Sequence, residues 1–412
     1  MYIEKLKRRI QPVINIYHLF RAVIANLLYS FPSRKLTIIG VSGTDGKTTT
    51  THLIHHVLNK YSRKSCMVSS ISAYVNGRSL ETSLHVTTPD SFKIQRLLKK
   101  AVNGKDKYFI FESTSHALDQ HRLWGIYFDV SVITNITSEH LDYHKEFHRY
   151  TRAKAKLLLN SAIAIINRDD TSYDILSEYL KKRKKRYFTY SLTKKADFNF
   201  DTAKKLNISI EEFNNYNFLS AYSVLRSLKI PEKDIISGFT SFKLPEGRVE
   251  TVFNKDYRII IDFAHTPNSF ENILKSIYKI KKNRIIHIFG SAGLRDAVKR
   301  PLLGRVSSKY SDVIILTEED YRTEDPERIM EEIAKGLNSN FKFIEAKDLS
   351  FNSRNVYTKI INRAEAVRKA ISIATNGDIL IFTGKSHEKS LARGKIEYPW
   401  NEKRTILKFL KK

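Results

Sequence analysis

Cysteine is nearly absent from this sequence, with Cys66 as the single example among 412 residues. One cysteine excludes an intrachain disulfide framework and any zinc site that needs several cysteines. Disulfides belong mainly to oxidising compartments, so this composition fits a reducing environment. We therefore predict a cytoplasmic protein.

The sequence also lacks an uninterrupted apolar run of the ~18 residues that read as a membrane span. The nearest approach is VINIYHLFRAVIANLLYSF (13–31), which His18 and Arg21 interrupt and which no A-x-A-like cleavage site follows. We predict no transmembrane segment and a helix that packs on the body of the protein. An interfacial membrane anchor is the alternative.

Acidic residues are few relative to basic ones, with 43 Asp and Glu against 71 Lys and Arg and a net charge of +28. Such a charge attracts polyanions whatever their sequence. The lysines are scattered, however, and runs such as KKRKKR (181–186) are typical of solvated faces. No zinc-finger, RRM or KH pattern occurs. We predict no specific nucleic-acid partner, anionic small-molecule substrates and a monomer.

Short β-branched runs alternate along the chain with helical patterns. They are KLTIIGV (35–41), KYFIFES (107–113), DVSVITN (129–135), SAIAIIN (161–167), YRIIIDF (257–263), RIIHIFG (284–290), DVIILT (312–317) and DILIFTG (378–384). Apolar strands separated by helices predict an α/β protein with mainly parallel sheets that are covered on both faces.

A linker is predicted at FKLPEGRVE (242–250), where Pro245 and Gly247 interrupt the preceding helical pattern. The chain is long enough for two or three domains. We expect a helical extension over 1–33, a first α/β domain over 34–245 and a second over 246–412.

The segment GVSGTDGKTTT (40–50) has the features of a phosphate-binding loop. It follows a predicted strand and opens a helical pattern, so Gly43 and Gly46 can bend the backbone around an anion at a helix N-terminus. Lys47 reaches the outer phosphates and Thr48 offers a hydroxyl to Mg²⁺ in the G-x-x-x-x-G-K-[ST] pattern. The strict pattern fails, because its first glycine falls on Val41. An ordinary glycine turn is the alternative.

The stretch GTDGKTTT resembles the nucleotide loop of the Mur ligases, G-T-[ND]-G-K-T, which are ATP-dependent amide-bond synthetases of peptidoglycan assembly. Further along, HVTTPD (85–90), FESTSHALDQHR (111–122) and TNITSEHLDYH (134–144) resemble motifs of the branch that adds the third amino acid to UDP-N-acetylmuramoyl-dipeptide. The segments YTRAKAKLLL (150–159), IINRDD (165–170) and FNNYNFLSA (213–221) are similar to later family motifs.

The second half continues the resemblance in the same order. GRVE (247–250), DFAHTP (262–267), FGSAGLRDAVKRPLLG (289–304) and GKSHE (384–388) are similar to G-R-x-E, D-Y-A-H-x-P, F-G-x-G-G-x-R-D-x-x-K-R-P-x-M-G and G-K-G-H-E. The resemblance implies a central P-loop ATPase domain followed by a C-terminal Rossmann-like domain.

The resemblance also implies roles for particular residues. The residues expected to bind the nucleotide are Gly43, Thr44, Asp45, Gly46, Lys47, Thr48, Thr49, Asn214, Arg248, Asp262 and His265. The residues expected to bind magnesium are Thr48, Glu112, His140 and Lys154, and Lys154 is expected to do so as a carbamate. Catalysis falls to Lys47, His140, Lys154, Lys299 and Arg300, and substrate binding to Thr87, Thr88, Ser115, Arg122, Arg322 and Glu388.

Some of these residues have simpler interpretations. His140, His144 and His148 recur at helical spacing and can form one polar face, or a zinc site on that face. Lys156 competes with Lys154 as the carbamylated lysine, and either can be a surface charge. Asn214 can be a helix cap.

Two departures from the family pattern concern the substrates. Only 42 residues precede Gly43, where the tripeptide-adding branch carries a domain that binds UDP, so we expect that domain to be lacking. The family's D-N-P-R motif aligns with Glu319, Asp320, Tyr321 and Arg322. Arg322 favours an amino acid with a second carboxylate.

We therefore predict an ATP- and Mg²⁺-dependent ligase that adds an amino acid to a nucleotide-sugar peptide acceptor through an acyl phosphate. One alternative is an amide ligase of folylpolyglutamate or cyanophycin type, which acts on an acceptor without UDP. A protein that keeps the fold as a noncatalytic binding module is the other.

Overall fold

A computed structural model describes residues 2–80, 87–137, 147–199, 201 and 214–410. The chain divides into two compact units, Met1–Lys243 and Leu244–Lys412. This division lies at the start of the segment in which we expect a linker.

The first unit begins with helix α1 (Tyr2–Tyr29) and a 3₁₀ turn (Pro32–Lys35). Its strands are β1 (Thr37–Ser42), β2 (Ser65–Val68), β3 (Ala73–Val75), β4 (Arg78–Leu80), β5 (Tyr108–Glu112), β6 (Phe128–Ile133), β7 (Ser161–Asn167) and β8 (Tyr187–Tyr190). Its remaining helices are α2 (Lys47–Lys60), α3 (Ser91–Asn103), α4 (Ser115–Asp119), α5 (Phe147–Leu159), α6 (Tyr173–Lys182), α7 (Asn214–Ser227) and α8 (Glu232–Thr240).

These strands form one sheet in the order β4-β3-β2-β5-β1-β6-β7-β8. Pairing is parallel from β2 to β8, and β3 and β4 add an antiparallel edge. Successive side chains of β1 point to opposite faces, so Ile39 and Val41 pack against α2, α7 and α8, whereas Ile38 packs on the side of α3. Both faces are buried, as the apolar runs predict.

The second unit contains β9 (Glu250–Asn254), β10 (Arg258–Asp262), β11 (Ile285–Phe289), β12 (Val313–Leu316), β13 (Lys342–Phe343), β14 (Val356–Lys359), β15 (Ile379–Thr383), β16 (Ser390–Arg393) and β17 (Ile396–Pro399). Its helices are α9 (Pro267–Ile280), α10 (Lys299–Tyr310), α11 (Pro326–Ala334), α12 (Arg363–Ser372) and α13 (Glu402–Leu410). The sheet order is β13-β14-β12-β11-β15-β10-β9, parallel except at β9, and β16 and β17 form a separate hairpin.

The α/β architecture confirms the fold predicted from the sequence. Each of the apolar runs contains a strand, at β1, β5, β6, β7, β10, β11, β12 and β15. The sequence did not reveal the shorter strands, such as β3, β4 and β13, which have two or three residues each. A run that short carries too little periodicity to distinguish a strand from a loop.

Helix α1 packs on the first unit through small and polar side chains. Ala22, Ala25 and Asn26 are buried, and the Asn26 amide donates to the Trp124 carbonyl at 2.8 Å. None of the helices that the structure describes is both long enough and apolar enough to cross a membrane.

A buried ion pair joins α12 to α13 in the second unit. Arg363 and Glu402 are fully buried, and the Arg363 guanidinium donates to the Glu402 carboxylate at 2.7 to 3.1 Å. Arg363 also donates to the Thr383 and Glu318 carbonyls, so its charge is fully enclosed by acceptors. Removing one partner therefore leaves an unpaired charge in the core.

We expect Glu402→Ala to lower the free energy of unfolding by about 3–5 kcal/mol, because it strands the Arg363 charge. The neighbouring Lys403 is the matched control, since it pairs with Glu250 at 2.6 Å but stays half-exposed. Lys403→Ala should cost no more than about 1 kcal/mol, as exposed pairs do. Urea unfolding of the full chain measures both, and equal losses would contradict the assignment.

Candidate active site

The glycine loop lies between the end of β1 and the start of α2. Gly46 caps α2 with φ of 80°, and Gly43 has φ of 152°. A Cβ at Gly43 would lie 1.8 Å from the Thr134 hydroxyl, and a Cβ at Gly46 would lie 2.0 Å from the Asn217 side-chain oxygen. Both positions therefore require glycine for space as well as for conformation.

The loop after β6 holds this glycine loop in place. The Thr44 and Asp45 amides donate to the backbone and side-chain oxygens of Asn135 at 2.8 and 2.9 Å, and the Thr134 hydroxyl donates to the Asp45 carbonyl at 2.6 Å. The Thr137 amide donates to the Thr44 hydroxyl at 3.0 Å. The loop thus has a fixed shape before any ligand binds.

Two lysines point their ammonium groups at carbonyls of the glycine loop. Lys47, the first residue of α2, donates to the Thr44 carbonyl at 2.6 Å. Lys154 on α5 is buried and donates to the Gly43 carbonyl at 2.5 Å, with its Nζ 4.6 Å from the centre of the Tyr150 ring. The competing Lys156 instead pairs with Asp119 at 2.8 Å and is 40% exposed. Placement at the loop therefore favours Lys154.

Glu112 is a buried carboxylate at the carboxyl end of β5, paired in register with Val41 of β1. The Thr48 hydroxyl lies 3.1 Å from both of its oxygens. Ser70 contributes its amide at 2.9 Å and its hydroxyl at 2.8 Å. The structure therefore brings together Thr48 and Glu112, the two described residues for which the resemblance implies a role in magnesium binding through an oxygen atom. Ser70 was missed, because its only signal is its position just after the short strand β2.

Three of the predicted substrate residues of the first unit, Thr87, Thr88 and Arg122, are linked to Glu112 by hydrogen bonds, directly or through Ser70 and Thr88. The Thr87 hydroxyl is 3.0 Å from that of Ser70, and the Thr88 hydroxyl donates to the Glu112 carbonyl at 3.0 Å. Arg122 donates to the Thr88 carbonyl at 2.9 Å. Ser115, at the start of α4, is buried and its hydroxyl has no hydrogen-bond partner among the described residues.

The first turn of α7 approaches the glycine loop through two asparagines. Asn214 accepts a hydrogen bond from Asn217 at 3.1 Å, and the Asn217 side chain occupies the space that a Cβ at Gly46 would enter. The Asn214 amide nitrogen is buried and has no partner within the described part of the chain. A buried donor that lacks a partner in the protein can donate a hydrogen bond to a bound ligand. Thr49, predicted to contact the nucleotide, is buried in the first turn of α2.

Asp170, three residues after the end of β7, supports the loop after β6. It accepts a hydrogen bond from the Ile136 amide at 3.1 Å, and burial raises its pKa while the charge of Lys154 acts in the opposite direction. The sequence resemblance included Asp170 without giving it a role.

His140 and His144 lie outside the described residues, so their placement stays a prediction. His148 is described and exposed on α5, where its Nε2 is 3.3 Å from the Tyr179 hydroxyl.

The predicted nucleotide residues of the second unit gather at the carboxyl end of β10. Burial raises the pKa of Asp262, whereas the nearby charge of Arg248 acts to lower it. The Asp262 carboxylate accepts hydrogen bonds from the Val249 and Ala264 amides at 2.9 and 2.7 Å. Arg248 lies over the Phe263 ring, 4.9 Å from its centre. Lys299 at the start of α10 donates to the His265 carbonyl at 2.9 Å.

Arg300 occupies a different environment from its neighbour Lys299. Its guanidinium is 1% exposed and pairs with Glu324 at 2.6 Å and with Glu332 at 2.7 Å. These contacts give Arg300 a structural role within the second unit. A role toward substrate stays a prediction.

Arg322 and Glu388 lie in a network that includes two residues absent from the sequence prediction of the site. The buried Lys385 donates to Asp320 at 2.7 Å and to Glu388. Arg322 donates to the Gly293 carbonyl at 2.8 Å and is 30% exposed. Lys385 is in the GKSHE motif, and Asp320 is in the stretch aligned with D-N-P-R.

The first unit therefore offers a chemically coherent set of groups. The N-terminus of α2, the glycine loop and Lys47 favour a polyphosphate, because they combine the positive end of a helix dipole with the charge of a lysine. The oxygens of Thr48 and Glu112 suit a hard divalent cation such as Mg²⁺. This is the chemistry of a magnesium-dependent phosphoryl-transfer site.

Comparison with known proteins assigns the two halves of the chain separately. Residues 41–226 match the Mur ligase middle domain. Residues 247–386 match the Mur ligase glutamate ligase domain.

Curated relatives extend over most of the chain. It is 35% identical over 389 residues to the UDP-N-acetylmuramoyl-L-alanyl-D-glutamate–2,6-diaminopimelate ligase of Clostridium perfringens, which covers 89% of this chain and 77% of the relative. The ligase of the same name from Aquifex aeolicus is 35% identical over 406 residues, covering 94% and 80%.

Solved structures share the fold at lower identity. A diaminopimelate ligase of the same name superposes with a TM-score of 0.57 at 24% identity, covering 91% of this chain and 78% of that one. The folylpolyglutamate synthase of Mycobacterium tuberculosis gives a TM-score of 0.69 at 14% identity, covering 89% and 92%. At these identities the likeness concerns the fold alone.

We expect Gly46→Ala to weaken ATP binding at least ~10-fold, since its Cβ collides with Asn217 and a positive φ costs ~1–2 kcal/mol for a residue with a side chain. Gly77→Ala is the matched control, with φ of 71° and no atom within 4 Å of the added Cβ. It should share the conformational cost but bind ATP normally. Calorimetric titration with MgATP measures the affinity of both variants. Wild-type affinity in Gly46→Ala would contradict the assignment of the glycine loop as the ATP-binding loop.

Proposed function

The chain belongs to the Mur ligase family, and from that membership we propose that it joins diaminopimelate to a UDP-N-acetylmuramoyl-peptide that ends in D-glutamate. It is an ATP-dependent amide-bond ligase of peptidoglycan biosynthesis. The observation that carries the proposal is the glycine loop, with Lys47 at one end of a polyphosphate cradle and Thr48 on the buried carboxylate of Glu112.

The reaction needs two substitutions. A carboxylate oxygen of the acceptor attacks the γ-phosphorus of ATP, and ADP leaves. The amino group of the incoming amino acid then attacks the carbonyl carbon of the acyl phosphate, so the C–N bond forms, phosphate leaves and the amine loses a proton. Two anions must meet in the first step, so positive charge and fixed N–H donors are what the protein has to supply.

The residues of the first unit match that requirement. Lys47 now donates to the Thr44 carbonyl, an oxygen of the loop itself, and can exchange it for a phosphate oxygen without moving the backbone. The Thr44 and Asp45 amides are fixed by Asn135, so the loop is ordered before the nucleotide arrives. The unsatisfied Asn214 amide is the donor proposed for the adenine.

Magnesium fits the donor set at the start of α2. Thr48 and Glu112 would hold the ion, since both present oxygens and Glu112 is a buried carboxylate that gains from a cation. The bound ion supplies neutralising charge for the phosphoryl oxygens. His140 is the further ligand that the family pattern suggests.

Lys154 is proposed to be carbamylated. Its Nζ is buried beside the Gly43 carbonyl, where an ammonium would repel a cation bound by Thr48 and Glu112. Addition of CO₂ to the neutral amine, with loss of a proton, converts that cation into an anion. An anion there attracts Mg²⁺.

The identity of both substrates rests on relatives and on one arginine. The relatives from Clostridium perfringens and Aquifex aeolicus are named for 2,6-diaminopimelate and for a UDP-N-acetylmuramoyl-dipeptide. Arg322, partly exposed, provides a guanidinium for a second carboxylate such as that of diaminopimelate. Arg122 and Ser115 are proposed to bind the acceptor.

Several expectations stay predictions for this enzyme. They are the monomeric state, the cytoplasmic location, the roles of Lys299, Arg300 and Glu388, and the domain limits of 34–245 and 246–412. The folylpolyglutamate-type alternative has support only at the level of the fold.

Phosphate release from ATP tests the function directly. The wild-type enzyme should release phosphate only when UDP-muramoyl-L-alanyl-D-glutamate and diaminopimelate are both present. Lys47→Ala should lower kcat by ~10²–10³, the loss typical of removing one stabilising donor. Lys60→Ala, an exposed lysine at the opposite end of α2, should leave kcat unchanged.

Three outcomes would contradict parts of this proposal. Turnover with folate-glutamate instead of the muramoyl acceptor would support the folylpolyglutamate alternative. Turnover with lysine but not with diaminopimelate would overturn the choice of amino acid. Binding of MgATP without turnover in any pairing would favour the noncatalytic binding module.

Carbamylation of Lys154 predicts a separate signal. Incubation with ¹³C-bicarbonate should give a carbamate resonance that disappears in Lys154→Met and persists in Lys156→Met. The second variant removes a lysine of the same helix that is half-exposed and paired with Asp119. A carbamate resonance that survives in Lys154→Met would disprove the assignment.

A further inference from the structure

Helix α1 presents one continuous apolar face to solvent. The side chains that are more than half exposed there are Val13 (64%), Ile16 (54%), Tyr17 (55%), Phe20 (64%), Ile24 (53%), Leu27 (62%) and Leu28 (68%). At 3.6 residues per turn these positions fall within about 120° of the helix circumference. We call this row the α1 face. Isolated exposed apolar residues are ordinary, but a contiguous row marks an interaction site.

The opposite side of α1 is buried against the first unit. Ala22, Ala25 and Asn26 are buried, and Asn26 hydrogen-bonds to its own helix at Ala22, to Trp124 and to Gln95 of α3. The helix therefore cannot rotate to bury the α1 face against its own unit. Whatever covers this face comes from outside the unit.

Basic residues predominate in the sequence that contains the α1 face. From Tyr2 to Lys35 the sequence has one acidic residue, Glu4, against Lys5, Lys7, Arg8, Arg9, Arg21, Arg34 and Lys35. Helix α3, which packs against α1, contains no acidic residue and exposes Arg96, Lys99 and Lys100. A surface that combines an apolar row with basic residues fits a partner that has both apolar and anionic parts.

Aromatic side chains lie beside the same helix. Trp124, whose carbonyl accepts a hydrogen bond from the Asn26 side-chain amide, is 40% exposed. Arg21 lies over the rings of Tyr17 and Phe92, 5.7 and 5.4 Å from their centres. Aromatic rings and arginines of this kind are enriched where protein meets lipid headgroups.

We propose that the α1 face binds an anionic lipid membrane, with α1 lying in the plane of the interface. The apolar row enters the boundary between headgroups and acyl chains, and Arg21 together with the basic residues of the 3₁₀ turn and α3 contacts the anionic headgroups. A second copy of the chain is a poorer occupant, since each copy carries a net charge of +28 and brings the same basic residues to the contact. The proposal is independent of the ligase substrates.

Vesicle co-sedimentation of the full-length enzyme tests this surface. Vesicles that contain phosphatidylglycerol should pull down the wild-type protein at low salt, whereas phosphatidylcholine vesicles should not. High salt should weaken the binding, because it screens the headgroup charge. The double variant Phe20→Glu/Leu27→Glu should bind at least ~10-fold more weakly, and so should Arg96→Glu/Lys99→Glu.

The control makes the same apolar-to-acid change elsewhere. Phe343→Glu/Phe351→Glu alters side chains that are 47% and 61% exposed in the second unit, and it should bind vesicles as the wild type does. MgATP binding by all variants verifies that they fold. The proposal is overturned if the wild type ignores phosphatidylglycerol, if the control loses binding equally, or if light scattering shows a dimer that Phe20→Glu/Leu27→Glu dissociates while vesicles bind neither form.

Discussion

The hydrogen-bonded carboxylate of Glu112 is the interaction on which the first unit's site depends. A buried anion is costly unless donors surround it, and here the Thr48 hydroxyl together with the Ser70 amide and hydroxyl provide them. These donors come from α2 and from the loop after β2, and the Glu112 carbonyl also holds Thr88. One residue thus connects the phosphate loop to the residues proposed to bind the acceptor.

The parallel sheet explains why these groups meet. The carboxyl ends of β1, β5 and β6 lie side by side in the sheet, so the loops that follow them share one edge. Open α/β sheets bind ligands at this edge. The glycine loop, Glu112 and the Thr134–Asn135 pair each follow or end one of these strands. The second unit repeats the principle at β10, where Asp262 fixes the backbone on either side of it.

The α1 face is a different kind of surface from the proposed active site, which binds small molecules. The sequence favours a helix packed on the body over an interfacial anchor, and the structure shows that this packing uses only one side of the helix. Alanines and an asparagine make the internal contact, whereas the large apolar side chains face outward. The two interpretations of this segment are therefore compatible, because they concern opposite sides of the same helix.

The sequence by itself determined the α/β class, the longer strands and the glycine loop, because apolar runs and glycine turns depend on neighbours close in the chain. It also placed Lys47 and Thr48 at the start of a helix. Only the tertiary structure decided that Ser70 and Asp170 support the site, that Lys154 rather than Lys156 reaches the loop, and that Arg300 is enclosed by Glu324 and Glu332. Those contacts join residues far apart in sequence. Their partners depend on strand order, which local spacing does not encode.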